Sequence, residues 1–161
     1  MEQENSEIQI ITCSAMETSA FAHGIGEKLQ DGDILALSGE LGSGKTCFTG
    51  GLARGLGVNE DYQITSPTFT LINEYPAKYR LYHFDVYRLT GYADLEDLGY
   101  EEYFAGHGVV VIEWAEKIAQ IIPETAIFIN FEYIDENKRK ITIKSSQHRL
   151  KELCTDMKNG G

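Results

Sequence analysis

Between an apolar run, Ile34 to Ser38, and a helical pattern, Lys45 to Leu56, lies the octapeptide Gly39-Glu40-Leu41-Gly42-Ser43-Gly44-Lys45-Thr46. Its spacing, G-x-x-x-x-G-K-[ST], constrains the fold more than any other feature of the chain. Glycines let the backbone turn with positive φ and approach a ligand closely. Successive N–H groups then form a nest for anionic oxygens, and the helix that follows adds its positive N-terminal end. Lys45 is placed to reach the β- and γ-phosphates of a nucleotide, and the Thr46 hydroxyl to ligate Mg²⁺. Such a loop needs a buried strand before it and a helix after it, so the architecture around it is α/β with parallel strands.

The rest of the chain reads accordingly. Ile8 to Thr12 is a short strand. Ser14 with Glu17 has the capping-box spacing for a helix running to Gln30, with Phe21, Ala22, Ile25 and Leu29 on one side. Gly57 closes the helix after the loop. Thr65 to Tyr75 and Leu81 to Leu89 are rich in aromatic and β-branched residues and read as two strands joined by PAKYR. Ala93 to Phe104 is a short helical stretch with a break near Gly99. Val109 to Trp114 (VVVIEW) is a buried strand, and Glu116 to Ile122 a short helix stopped by Pro123. Ala126 to Tyr133 and Lys140 to Lys144 form a second hairpin around the tip IDENKR, and Gln147 to Met157 is a last helix. We expect one domain over residues 1–161, with 1–6 and 158–161 as loose ends, a mixed sheet with central parallel strands and antiparallel hairpins, and helices on both faces.

Phosphoryl chemistry also needs groups that hold a metal and orient a nucleophile. Two strands offer acids. In HFDVY, an extended chain puts His83, Asp85 and Tyr87 on one face and Tyr82, Phe84, Val86 and Arg88 on the other. An aspartate inside an aromatic strand is costly to bury unpaired, so Asp85 faces either a metal site or a structural partner such as His83 or an arginine. In VVVIEW, four apolar residues precede Glu113. Trp114, the only tryptophan, reads as core packing on its own pattern. The hydroxyls of Thr65-Ser66-Pro67-Thr68 sit on a proline-stiffened segment between the loop and the Asp85 strand. They suit either a γ-phosphate or Mg²⁺ sensor or an ordinary turn.

Charge narrows the partners. The chain of 161 residues carries a net −11, and Lys138 to Lys140 is its one run of three basic residues, read as a solvated hairpin tip. Independent nucleic-acid binding is disfavoured, whereas work beside a basic partner is compatible with an acidic surface. No apolar run approaches the ~20 residues of a membrane span, and the polar start MEQENSE is not a secretory leader, so a cytoplasmic location without membrane attachment is expected. Cys13, Cys47 and Cys154 form no C-x-x-C pair and read as reduced thiols. Cys47 lies near a helix N-terminus, where a thiol pKa can fall, although a small packed residue is the simpler reading.

Taken in order, G-E-L-G-S-G-K-T-x-F, S-P-T-F, H-F-D-V-Y-R-L and I-E-W-A-E resemble the TsaE (YjeE) family of small bacterial P-loop ATPases, over about Cys13 to Ser145. The resemblance implies ATP and Mg²⁺ as cofactors, slow ATP hydrolysis alone, and service to the TsaB–TsaD complex. That complex modifies adenosine 37 of tRNA to N6-threonylcarbamoyladenosine (t6A) over many turnovers, so tRNA is met through the complex. Carried over by residue, Gly39, Glu40, Leu41, Gly42, Ser43, Gly44, Lys45, Thr46 and Cys47 form the nucleotide loop, with Cys47 where threonine is expected. Ser66 to Phe69 resembles a switch-like segment with Thr68 as its phosphate or metal contact. Asp85 resembles the family's essential aspartate, and Glu113 with Trp114 its Glu-Trp pair. Lys45, Asp85 and Glu113 are then the catalytic candidates, and Thr46, Asp85 and Glu113 the metal candidates. Asp85 and Glu113 are free to exchange the roles of metal holder and water positioner. Two rival readings of the loop are a small-molecule kinase, disfavoured because no arginine-bearing lid insertion is evident, and a nucleotide-gated binding module without significant catalysis.

Overall fold

The computed structural model describes residues 5–40, 42–67, 71–89 and 93–154. Leu41 and Thr68 to Thr70 therefore lie outside the described residues, as do 1–4, 90–92 and 155–161. Among the described residues, seven strands form one mixed sheet: β1 (Asn5–Thr12), β2 (Ile34–Gly39), β3 (Ile72–Tyr75), β4 (Leu81–Asp85), β5 (Val109–Glu113), β6 (Ile127–Tyr133) and β7 (Arg139–Ser146). Their order is β1-β7-β6-β2-β5-β4-β3. The centre, β6-β2-β5-β4, is parallel, and β7, β1 and β3 extend it antiparallel. The expected mixed sheet is thus observed.

Helices cover both faces. Helix α1 (Ala15–Gly26) and α2 (Lys45–Leu56), with α5 (Gln147–Leu153), bury Ala22, Ile25, Phe48, Leu52 and Leu150 against Leu35, Leu37, Val109, Val111, Ile129 and Ile143. On the other face, α3 (Ala93–Glu96), α4 (Tyr100–Tyr103) and a 3-10 segment, Ala115–Ile121, cover Ile34, Ala36, Phe84, Val110 and Ile112. The alternation of Leu35 and Leu37 with Ile34 and Ala36 is the period of two expected of a strand buried on both sides. No helix among the described residues is long and apolar enough to cross a membrane.

Two local devices aim the site. Ser14 caps α1 by accepting the Glu17 N–H at 3.0 Å, as the capping-box spacing predicts. Helix α2 then lies against α1 through its glycines: a Cβ on Gly51 would meet the Ser19 carbonyl at 2.3 Å, and one on Gly55 the His23 carbonyl at 2.1 Å. This backbone contact brings the start of α1 beside the start of α2, where the phosphate loop ends.

Several boundaries differ from the sequence reading. β1 starts at Asn5 rather than Ile8, because all eight residues pair with β7. α1 stops at Gly26 rather than Gln30, since the Gln30 N–H turns to the Asp33 carboxylate at 2.7 Å. Strand β3 begins only at Ile72, and Thr65 to Pro67 run without strand pairing. Strand β4 ends at Asp85, not Leu89, because the Asp85 carboxylate accepts the Tyr87 N–H at 3.0 Å and bends the chain. Tyr87 therefore does not continue the His83–Asp85 face. The break at Gly99 is real, with φ of 72°.

Candidate functional site

Ligands of parallel sheets sit beyond the carboxyl ends of the strands, and the buried Ser43, Lys45 and Glu113 lie at that end of β2 and β5. The phosphate loop leaves β2 at Gly39 and enters α2 at Lys45. Gly39, Gly42 and Gly44 have φ of 143°, 76° and 110°. At Gly39 a Cβ would also meet the Phe131 carbonyl at 2.6 Å and the Ser43 hydroxyl at 2.9 Å, so only glycine fits. Lys45 is 5% exposed, and its Nζ donates to the carbonyls of Gly39 at 2.6 Å and Glu40 at 2.9 Å. The same ammonium lies 3.8 Å from the centre of the Trp114 ring. Burial pushes the Lys45 pKa below its usual value, and the carboxylates of Glu116, Glu113 and Asp85 oppose that shift.

The two acids are neighbours: Asp85 on β4 pairs in register with Glu113 on β5. They differ in their surroundings. Glu113 is 1% exposed. Its Oε1 accepts the Thr46 hydroxyl at 2.9 Å, and its Oε2 lies 2.5 Å from His83 Nε2. A carboxylate only accepts, so Thr46 spends its proton on Glu113 and Ser66, 3.2 Å away, donates to Thr46. Asp85 is half-buried and accepts the Tyr87 N–H. Burial raises its pKa, the Tyr87 N–H opposes this, the Glu113 charge adds to it, and His83 and Lys45 oppose it. The structural partner His83 belongs to Glu113, not to Asp85.

Trp114 follows Glu113 with φ of 64°, an unfavourable region for a bulky residue and the kind of strain that gathers at sites. The strain turns the indole over Lys45, while Tyr87 packs on it with ring centres 4.8 Å apart. Two residues on, Glu116 Oε2 accepts the N–H of Gly39 at 3.1 Å. Sequence reasoning placed Glu116 in its motif but gave it no role.

Lys45, Thr46, Ser66, Asp85, Glu113 and Trp114 line a cavity of about 480 Å³ that also reaches Ser14 and Thr18 of α1 and Glu136, Asn137 and Arg139 of the β6–β7 hairpin. Arg139 donates to the Gly42 carbonyl at 3.2 Å. The basic run read as a solvated tip thus contributes a cation to the cavity wall; the β6–β7 register that brings it there has no local sequence signal. Cys47 also lines the cavity, with Sγ 3.3 Å from the Ala15 carbonyl. Burial pushes its thiol up, with Arg139 opposing, so the helix N-terminus does not make it acidic. Glu40 is exposed, and its carbonyl is what faces Lys45.

Thr46, Glu113, Asp85 and Ser66 offer only oxygen, the donor type Mg²⁺ takes. Among the described residues no three His, Cys, Asp or Glu side chains group as a metal cage. A site that draws its remaining ligands from phosphate and water fits this donor set.

Comparison with known proteins agrees with this geometry. Residues 12–141 match the family TsaE, threonylcarbamoyl adenosine biosynthesis protein. The chain is 42% identical over 136 residues to a tRNA threonylcarbamoyladenosine biosynthesis protein TsaE of Treponema pallidum, covering 84% of this chain and 99% of that one. It is 40% identical over 147 residues to the Bacillus subtilis protein of the same name, covering 91% and 90%. The crystal structure of Bacillus subtilis YdiB superposes with a TM-score of 0.77 at 35% identity, covering 99% of each chain. Sequence motifs, fold and site geometry converge, and the chain belongs to the TsaE family.

Proposed function

We propose that the chain binds and hydrolyses ATP with Mg²⁺ and thereby supports multiple-turnover t6A modification of tRNA position 37 together with TsaB–TsaD. The observation that carries this reading is the Thr46–Glu113 hydrogen bond of 2.9 Å at the foot of the phosphate loop, with Asp85 in register beside it. A loop that only binds phosphate does not need two acids there.

The chain's residues divide the work. The loop amides and the α2 N-terminus cradle the phosphates. Lys45, held over the loop by two carbonyls, presents its charge to them. Mg²⁺, when bound, would supply positive charge to the β- and γ-phosphates, held by Thr46 with Glu113 behind it. Glu113 is engaged on both oxygens and has little capacity left for water. Asp85 is half-buried, lightly bonded and raised in pKa, which suits orienting the attacking water and taking up its proton. Trp114 covers Lys45 and screens it from bulk solvent, and Ser66 meets Thr46 from the other side. With net −11, the chain leaves most of the tRNA phosphate contacts to its partners.

The test is t6A formation over many turnovers with purified TsaB–TsaD, threonylcarbamoyl-adenylate, tRNA and ATP. Product beyond the first round with the intact protein but not with Asp85→Ala supports the proposal. Equal product with both variants, or with a non-hydrolysable ATP analogue, contradicts it and favours a binding module. Appearance of the γ-phosphate on a metabolite would favour a kinase.

A further inference from the structure

His83 is fully buried, yet it lies on the strand beside the site and hydrogen-bonds to the cavity-lining Glu113. Its Nε2 is 2.5 Å from Glu113 Oε2, while its Nδ1 is buried with no hydrogen-bond partner among the described residues. A buried polar ring with one nitrogen left over is a poor core residue: an apolar side chain of similar size would avoid the unsatisfied atom. The arrangement has a reason if the one bond made matters.

The proton count shows which way that bond runs. Among the described residues, the other hydroxyl in hydrogen-bond range of Glu113 Oε2 is Thr49 Oγ1 at 3.5 Å, and it donates at 2.9 Å to the Lys45 carbonyl. Thr49 has one proton and spends it there. His83 is then the close donor to Oε2 among the described residues, with its proton on Nε2. Fixing Oε2 against the imidazole leaves Oε1 as the oxygen turned to Thr46. Without the His83 bond, Oε2 would face an apolar strand neighbourhood that includes Val111, the register partner of His83, and the carboxylate would gain by rotating toward the cavity.

We propose that His83 is a positioning residue that, through its Nε2–H bond to Glu113 Oε2, sets the carboxylate's orientation and so the Thr46 hydroxyl's readiness to take Mg²⁺ with the nucleotide. The proposal rests on the Mg²⁺–nucleotide reading above. Its logic is that of partners behind metal ligands, whose loss weakens metal affinity by roughly 10–100-fold. His83 itself touches neither phosphate nor metal.

The experiment compares wild type, His83→Gln, whose amide nitrogen reaches near the Nε2 position, and His83→Met, which has similar length and no donor. Binding of a non-hydrolysable ATP analogue is measured by calorimetry in EDTA and across a Mg²⁺ titration. The expected result is unchanged affinity in EDTA for all three, and a Mg²⁺ requirement raised about tenfold in the Met variant and kept near wild type in the Gln variant. Equal Mg²⁺ requirements in all three would overturn the proposal. So would a Gln variant as impaired as Met, or an equal loss in EDTA, which marks a merely structural role. A wild type that binds no nucleotide, or binds it indifferently to Mg²⁺, would instead sink the phosphate-site reading. In that case, or if the Met variant does not fold, the ring nitrogens of nucleotide-free wild type decide by ¹⁵N NMR. A proton on Nε2 whose signal shifts in Glu113→Gln supports the bond; a bare Nε2 overturns it.

Discussion

The parallel and antiparallel halves of the sheet handle polar groups in opposite ways. In the parallel half, every residue of β5 is buried, and the polar side chains Lys45, His83 and Glu113 are enclosed at the strands' carboxyl ends. In the antiparallel half, β1 alternates inward and outward, and its Glu7 sits in solvent in a loose pair with Lys144 of β7 at 3.9 Å. Burying a charge is expensive unless it is paired, so a structure that needed only a stable sheet would resemble the antiparallel half throughout. The parallel half departs from that pattern in one place, and that place is the cavity. The buried charged side chains Lys45 and Glu113 line that cavity, whereas the buried Thr142 and Ser145 of β7 are neutral hydroxyls away from it.

The largest expected effect lies in the parallel half. Lys45→Ala removes the buried cation that the proposed function sets against the phosphates, and we expect ATP affinity to fall by roughly a hundredfold, ~2.7 kcal/mol, measured by calorimetry on a protein whose circular dichroism is unchanged. Unaltered affinity would erase the distinction between the halves. On the antiparallel side the core should matter to stability alone. Ile143→Ala, at a fully buried position, is expected to lower unfolding free energy by about 2–5 kcal/mol in urea, while ATP affinity below the unfolding transition stays within about threefold of wild type. A hundredfold loss of affinity there would show that the halves are not separable.

A subtler contrast comes from Asp85. Its folded pKa is raised, chiefly by burial, so the folded state disfavours its charge. Stability from this group is full below the unfolded carboxylate pKa and falls as pH rises through the folded value. Asp85→Asn is therefore expected to melt higher than wild type at pH 7, with the gap closing as pH falls toward 4. A lower melting temperature at pH 7 would mean that the charge is held for structure. The smallest effect belongs to Lys144→Ala, which breaks an exposed pair; its unfolding free energy should stay within about 0.5 kcal/mol of wild type.

Legibility in the sequence followed the same divide. The phosphate loop, the Ser14 cap, the Gly57 stop and the β5 run were readable because each is a local signal whose residues act within a few positions of one another. The ends of β4 and α1 were not, because an Asp85 or Asp33 side chain competing for a backbone N–H looks the same in sequence whether or not it wins. The pairing of His83 with Glu113 rather than Asp85 depends on which strands lie side by side, and alternation within one strand says nothing about its neighbour. Arg139 was read as solvated because its wall of the cavity exists only once β6 and β7 are in register. Trp114 read as core on its pattern, and its positive φ, invisible in sequence, is what turns the ring over Lys45.

In the proposed division of labour, Glu113 of the register pair supports binding and Asp85 drives hydrolysis. The most direct measurement is single-turnover release of labelled γ-phosphate by wild type and Asp85→Asn, each saturated with ATP and Mg²⁺ after ATP affinity has been measured for both. If Asp85 orients the water, ATP affinity stays within about threefold of wild type and γ-phosphate release slows by roughly 100-fold or more, the scale of a lost general base. Release at the wild-type rate would contradict it, and so would a collapse of ATP affinity in a folded variant, which would give Asp85 the binding role assigned here to Glu113.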